Sequence, residues 1–78
     1  MQGETRPLSL LRVGERAVVV RLEADDACAR RLLEIGFFPG ALVELVAAMW
    51  PGNDPLAIRI GGSTFALRRH EADGVSVT

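Results

Sequence analysis

Apolar and polar residues alternate along several short segments of this chain, which is the pattern of strands that bury one face of a sheet. In the segment 42–49, Val43 and Leu45 would point to one side, and Glu44 would point to the other. The segment 17–22 is rich in β-branched residues, which favour strands. Together the patterns predict five strands, at residues 17–22, 42–49, 56–60, 63–68 and 75–77.

The sequence also predicts which way the side chains of the first strand face and how the last strand could pair. Strict alternation in the first strand places Val18 and Leu22 on one face and Val19 on the other. The last strand, at 75–77, could form an exposed edge of the barrel. An exposed edge can pair with a second copy of the chain, so a homodimer is one expectation.

A single helix is predicted between the first two strands, at residues 27–35. Its apolar residues have the spacing of one helical face: Cys28, Leu32 and Ile35. Either of the preceding aspartates, Asp25 or Asp26, can cap the helix N-terminus. Gly36 follows the helix, where a positive φ angle is commonly needed to end it.

The connections between the strands are short and rich in turn-forming residues. Pro39-Gly40 favours a tight turn, and Gly61-Gly62 favours a hairpin between the third and fourth strands. Residues 70–73 predict a short connector of about one helical turn. We therefore expect a mainly β fold, a small partly open barrel of about five strands with one inserted helix. Residues 1–7 are expected to be a flexible tail, and residues 8–78 the domain.

Length and composition limit the function classes. The chain has 78 residues, which suits one small domain, and its only cysteine, Cys28, cannot form a disulfide within the chain. No apolar run is long enough to cross a bilayer, and the start of the chain does not look like a signal peptide, so a cytoplasmic location is expected. The net charge of −1 and the pI of about 5.7 argue against a nucleic-acid-binding protein.

Few residues could support catalysis or metal binding. No nucleophile stands beside an acid–base partner in the pattern, so we do not expect an enzyme. His70 and Glu71 could offer nitrogen and oxygen ligands to a divalent metal, iron or zinc as its surrogate. Even with Asp73 nearby, one histidine and two carboxylates on a short turn would need water or a second chain to complete the site. The alternative is that they form an exposed polar connector, which is the interpretation we prefer.

The aromatic residues and arginine pairs are candidates for contact with a partner. Aromatic side chains at Phe37, Phe38 and Trp50 lie in or beside turns, where they could form rigid apolar contacts or fill the open ends of the barrel. Three arginines could contact a partner at the rim of such a patch: Arg30, Arg31 and Arg68. Alternatively, they could belong to a solvated surface.

Five motifs, in order, resemble the FeoA family of ferrous iron transport proteins. They are Leu8-x-x-Leu11-x-x-Gly14-Glu15, the block from Arg31 to Gly40 (R-L-L-E-I-G-F-F-P-G), Val43-Glu44-Leu45-Val46, Gly52-Asn53-Asp54-Pro55-Leu56 and Ala66-Leu67-Arg68-Arg69-x-Glu71-Ala72. The resemblance implies an SH3-like barrel in the cytosol that acts beside FeoB, the membrane ferrous iron transporter. Ser63 departs from the family, which often has a tyrosine at this hairpin position.

Three hypotheses follow from the residues and the resemblance. The first is an accessory protein that binds the cytosolic part of an FeoB-type transporter through the aromatic patch and arginine rim, and so lies peripheral to the membrane without spanning it. The second is a metal-sensing barrel with His70 and Glu71 as ligands. The third, which the acidic pI disfavours, is a nucleic-acid-binding barrel.

Overall fold

The computed structural model describes residues 4–78 and shows a mainly β domain. Six antiparallel strands form one open sheet in the order β1-β6-β2-β3-β4-β5. The strands are β1 (Arg6–Pro7), β2 (Arg16–Leu22), β3 (Leu42–Ala48), β4 (Leu56–Ile60), β5 (Ser63–Leu67) and β6 (Val75–Val77). A 3₁₀ turn follows β1 at Leu8–Leu10, and the two helices are α1 (Asp26–Ile35) and α2 (Arg69–Ala72).

The five predicted strands and the inserted helix are confirmed, and no end differs from the prediction by more than one residue. The predicted tail is wrong at its C-terminal end, because Arg6 and Pro7 pair with Val77 and Ser76 of β6 and add a sixth strand. The rest of the expected tail includes residues 1–3, which lie outside the described residues.

Strand β6 is not an edge of the sheet, contrary to the sequence expectation. It is hydrogen-bonded to β1 on one side and to β2 on the other, and both valines, Val75 and Val77, are buried. A second copy of the chain therefore cannot pair with β6 without displacing β1. Within residues 4–78, the strands at the two ends of the sheet are β1 and β5.

The predicted facing of β2 is also wrong, because a bulge interrupts its pairing with β6. The register shifts between Val19 and Arg21. Val19 is buried and Val18 is exposed, but beyond the bulge Leu22 again packs against the core. An extra residue in one strand reverses the facing of all residues that follow it, and no alternation pattern in the sequence reveals this.

Both ends of α1 are stabilised as the sequence predicts. The Asp25 side chain accepts a hydrogen bond from the backbone N–H of Cys28 at 2.8 Å, which caps the first turn. Gly36 ends the helix with φ 125°, a value that side-chain-bearing residues rarely adopt. The helix buries Leu32 completely and packs Cys28 and Ile35 partly against the sheet.

The core is built from side chains of the strands, the 3₁₀ turn and the two helices, with Leu32 as the buried residue of α1. Its largest completely buried side chains come from all parts of the chain: Phe37, Leu8, Leu32, Leu56, Ile58, Leu67, Val19, Val43, Val75 and Val77.

In residues 4–78, neither helix is long and apolar enough to be a membrane span.

Candidate binding surface

A groove of about 640 Å³ lies between the C-terminal end of α1 and the β4–β5 hairpin. Its walls are mainly apolar, and they come from the helix end, the following turn and three strands: Ile35, Phe38, Leu42, Ile60 and Phe65. Phe38 and Leu42 are largely exposed at its mouth. Exposed apolar side chains around a concave surface are typical of binding sites, so this groove is the main candidate site.

The turn after α1 sends Phe37 and Phe38 in opposite directions. Phe37 is fully buried in the core, whereas 54 % of Phe38 is exposed. The predicted surface role of Phe37 is therefore wrong in this structure: its side chain belongs to the core. Hydrogen bonds from Gly40 to the carbonyl of Val19 (2.8 Å) and from Val19 to the carbonyl of Ala41 (2.9 Å) fasten the turn to β2. Phe38 is thus presented on a well-supported turn.

Three charged residues on neighbouring strands form one rim of the groove. Arg16, Glu44 and Arg59 are aligned across β2, β3 and β4. The Glu44 carboxylate lies 3.5 Å from Arg16 Nε and 3.8 Å from Arg59 Nη1. One carboxylate facing two guanidinium groups leaves the rim with a net positive charge, which suits a partner with an acidic group beside its apolar contact.

Trp50 does not belong to this groove. The groove reaches the start of β3 at Leu42, and Trp50 follows the other end of that strand. Seven strand residues span about 20 Å at ~3.3 Å per residue, so Phe38 and Trp50 lie at opposite ends of the barrel. The single aromatic patch expected from the sequence is therefore divided into two separate surfaces.

The arginines expected at the rim lie elsewhere. Arg31 donates through Nη1 to Oε2 of Glu71 at α2, and Arg68 Nη1 is 3.8 Å from Asp54 Oδ1 near the Trp50 loop. Arg30 lies on α1 and is exposed. None of the three lines the groove. Arg16 and Arg59 do line the groove. The sequence did not reveal them as site residues, because only the strand register brings them beside Glu44.

The proposed metal ligands are not arranged as a metal centre. Glu71 is only 8 % exposed, and both of its carboxylate oxygens are engaged. Oε1 accepts from the backbone N–H of Arg68 at 2.9 Å, and Oε2 accepts from Arg31. His70 is exposed and lines a separate cavity of about 320 Å³ with Cys28 and Asp73. Within residues 4–78, no group of three or more histidine, cysteine or acidic side chains is placed to hold a metal ion.

The fold is a small, partly open β-barrel with one apolar groove on its surface. The FeoA domain model matches residues 6–78, which is almost the whole chain, so the chain belongs to the FeoA domain family.

A curated relative from Porphyromonas gingivalis is a fusion of Fe(2+) transport protein A with the Fe(2+) transporter FeoB. It is 37 % identical over 70 residues, which cover 90 % of this chain and 8 % of the relative. This chain therefore spans less than a tenth of that protein.

Two solved structures share both the fold and substantial sequence. The zinc complex of Stenotrophomonas maltophilia FeoA, described as a procaryotic SH3 domain protein, has a TM-score of 0.82 and 43 % identity, covering 92 % of this chain and 88 % of that one. The FeoA protein from Chlorobium tepidum has a TM-score of 0.83 and 35 % identity, covering 91 % of this chain and 67 % of that one. These likenesses confirm the SH3-like barrel that the sequence motifs implied.

Proposed function

We propose that this chain is an accessory protein of ferrous iron uptake that binds the cytosolic part of an FeoB-type transporter. The observation that carries the proposal is the relative in which a domain 37 % identical to this chain is joined to FeoB in one polypeptide. Domains fused in one protein commonly act together when they occur as separate chains. In this proposal the chain works in the cytoplasm and reaches the membrane through its partner.

The groove beside Phe38 is the surface we assign to this contact. Phe38 supplies an exposed aromatic ring on a supported turn, and the groove behind it has apolar walls that a partner side chain could fill. Aromatic residues beside such a pocket commonly supply most of the binding energy of an interface. Full burial of the exposed part of Phe38 would contribute about 1–2 kcal/mol, equivalent to a roughly five- to thirtyfold change in Kd.

We also propose that the chain acts by binding and not by catalysis. The FeoA domain is associated with transport accessory proteins. In the described part of the chain, the only thiol, Cys28, packs partly against the core on the first turns of α1. The buried carboxylate of Glu71 is held by two donors, which makes it a structural group and not a free acid or base.

The direct test is a calorimetric titration of the chain into the soluble cytosolic part of an FeoB transporter, with and without guanine nucleotide. We expect saturable binding that Phe38→Ala weakens by about tenfold. Leu33→Ala is the matched control, because Leu33 is a similarly exposed apolar residue (48 %) on α1 that does not line the groove.

The outcomes separate the partner from the surface. Absence of binding up to high micromolar concentration would contradict the proposed partner. Binding that Phe38→Ala leaves unchanged would instead contradict the assignment to the groove. A dependence on guanine nucleotide would indicate that the chain contacts a part of the transporter that changes with its nucleotide state.

A further inference from the structure

The two ends of the sheet are built differently. At one end, β1 has only two residues, Arg6 and Pro7, and a short strand with a charge and a proline discourages a further strand from pairing with it. At the other end, β5 (Ser63–Leu67) has no charged residue and no proline, and it pairs with β4 in a continuous register without a bulge. Within residues 4–78, β5 is therefore the edge of the sheet that lacks these protections.

The free edge of β5 presents unpaired backbone groups to solvent. The Gly61-Gly62 turn has positive φ angles at both residues (58° and 86°), which makes Ile60 and Ser63 the first hydrogen-bonded pair of the hairpin. Because hydrogen-bonded and non-hydrogen-bonded pairs alternate along an antiparallel ladder, the N–H and C=O groups of Thr64 and Ala66 point away from β4. Both residues are exposed, and no loop or further strand in the described part of the chain bonds to their backbone.

This edge is continuous with the apolar groove. Ser63 and Phe65 of β5 line the groove together with Phe38, and Phe65 packs partly against the core. A residue directly opposite Phe65 in an added strand points to the same face of the sheet, so its side chain would enter the groove. One extended segment would therefore pair with the free backbone groups and cover the apolar surface at the same time.

The charged side chains that line the groove favour an acidic residue in the same segment. They are Arg16, Glu44 and Arg59, so one carboxylate faces two guanidinium groups. Arg59 is paired in register with Thr64, and its side chain is 53 % exposed. A residue opposite Thr64 in an added strand would lie two strand spacings, about 10 Å, from Arg59. A glutamate and an arginine side chain together bridge that distance.

We propose that the free edge of β5 takes up an extended segment of the partner as a seventh strand. The segment places an apolar side chain opposite Phe65 and a carboxylate opposite Thr64. Recognition of this kind draws affinity from backbone hydrogen bonds and specificity from the alternate side chains that enter pockets. The source of the segment rests on the proposed function, which names the cytosolic part of an FeoB-type transporter as the partner.

A second copy of this chain suits the edge less well. Paired through its own β5, it would bring no carboxylate to Arg16 and Arg59, because β5 has no charged residue. A partner segment with an acidic residue is therefore the occupant that the groove favours.

The first measurement is amide hydrogen exchange, followed by NMR spectroscopy of the isotopically labelled chain with and without the soluble cytosolic part of the transporter. The amides of Thr64 and Ala66 should exchange at least tenfold more slowly in the complex, because each gains an acceptor. The amide of Phe65 is the internal control, since it already faces β4 and should change much less.

Ala66→Pro tests the edge without altering the groove. Proline removes the outward N–H of residue 66 and leaves the hydrogen bonds between β5 and β4 in place, so an edge strand tolerates it. We expect it to weaken binding in the calorimetric titration by about tenfold or more, whereas Ala66→Val, which keeps the N–H, should change Kd by less than about twofold. Urea unfolding checks that both variants are folded. If Ala66→Pro does not fold, the exchange measurement on wild type decides.

The outcomes separate the edge from the partner. Binding of the transporter part without slower exchange at Thr64 and Ala66 would overturn the strand pairing and leave the proposed function standing. If the transporter part does not bind, the proposed function fails, and a displayed library of random peptides then tests the edge. Selected peptides that lose binding to Ala66→Pro, and that carry an acidic residue beside an apolar one, would support it, and failure to select any would overturn it. Dimerisation of the free chain that Ala66→Pro abolishes would assign the edge to a second copy and would also overturn the proposal.

Discussion

Phe37 and Phe38 are adjacent residues whose replacement by alanine should have opposite consequences. Phe37 is completely buried among core residues, and removing its ring leaves a cavity that the surrounding barrel can only partly close. Such substitutions cost about 3–5 kcal/mol. Domains have a stability of about 0.05–0.15 kcal/mol per residue, which gives roughly 4–12 kcal/mol for 78 residues. Phe37→Ala therefore removes a large fraction of the total stability.

Urea unfolding followed by far-ultraviolet circular dichroism measures this difference. With an m-value of about 1–1.5 kcal/mol/M for so small a domain, Phe37→Ala should lower the midpoint by roughly 2–5 M or unfold the chain in water. Phe38→Ala, which removes a half-exposed ring, should change the free energy of unfolding by less than about 1 kcal/mol. Circular dichroism is the suitable signal because the exposed Trp50 reports poorly on the core. A Phe37→Ala variant as stable as Phe38→Ala would refute the assignment of the two rings.

Three further predictions concern the polar residues. Glu71→Gln should lower the free energy of unfolding by about 1–3 kcal/mol, measured by urea unfolding, because the single amide oxygen can accept from only one of the two donors, Arg31 and the backbone N–H of Arg68; an unchanged midpoint would contradict this role. The backbone N–H of Arg12 and the side chain of Arg6 lower the pKa of Glu15 from its ordinary value of 4.5. Ionised Glu15 therefore stabilises the folded chain fully at pH values above 4.5, and this stabilisation is lost as the pH falls through the lowered pKa. Wild type should accordingly be more stable than Glu15→Gln at pH 7, and the difference should vanish in strong acid; a difference independent of pH would contradict the linkage. Anoxic calorimetry with Fe²⁺ should give equal heats for wild type and His70→Ala, since Glu71 is not free to act as a second ligand; a heat lost in the variant would restore the metal hypothesis.

Much of the fold follows from local features of the sequence. Alternation in β3 and β4 correctly indicates their buried faces, because each strand lies against one continuous core. Asp25 and Gly36 mark the ends of α1 because capping depends on a few adjacent residues. The family motifs also lie in continuous segments, so they identify the FeoA domain without any knowledge of the structure.

The binding surfaces, in contrast, depend on contacts between distant parts of the chain. Whether Phe37 or Phe38 enters the core is decided by the way the turn after α1 is fastened to β2, a strand well separated from it in sequence. Likewise, Arg16 and Arg59 meet Glu44 only because three strands align in register.

The sequence by itself therefore determined the class of fold, the family and all the elements except β1, since these follow from short-range periodicity, capping and motif spacing. Only the tertiary structure decided that β6 is internal, that the aromatic residues form two surfaces, and that Phe38 and Trp50 lie at opposite ends of β3. The physical reason is that strand pairing and bulges join residues far apart in the chain, and local sequence patterns carry no record of which residues will meet.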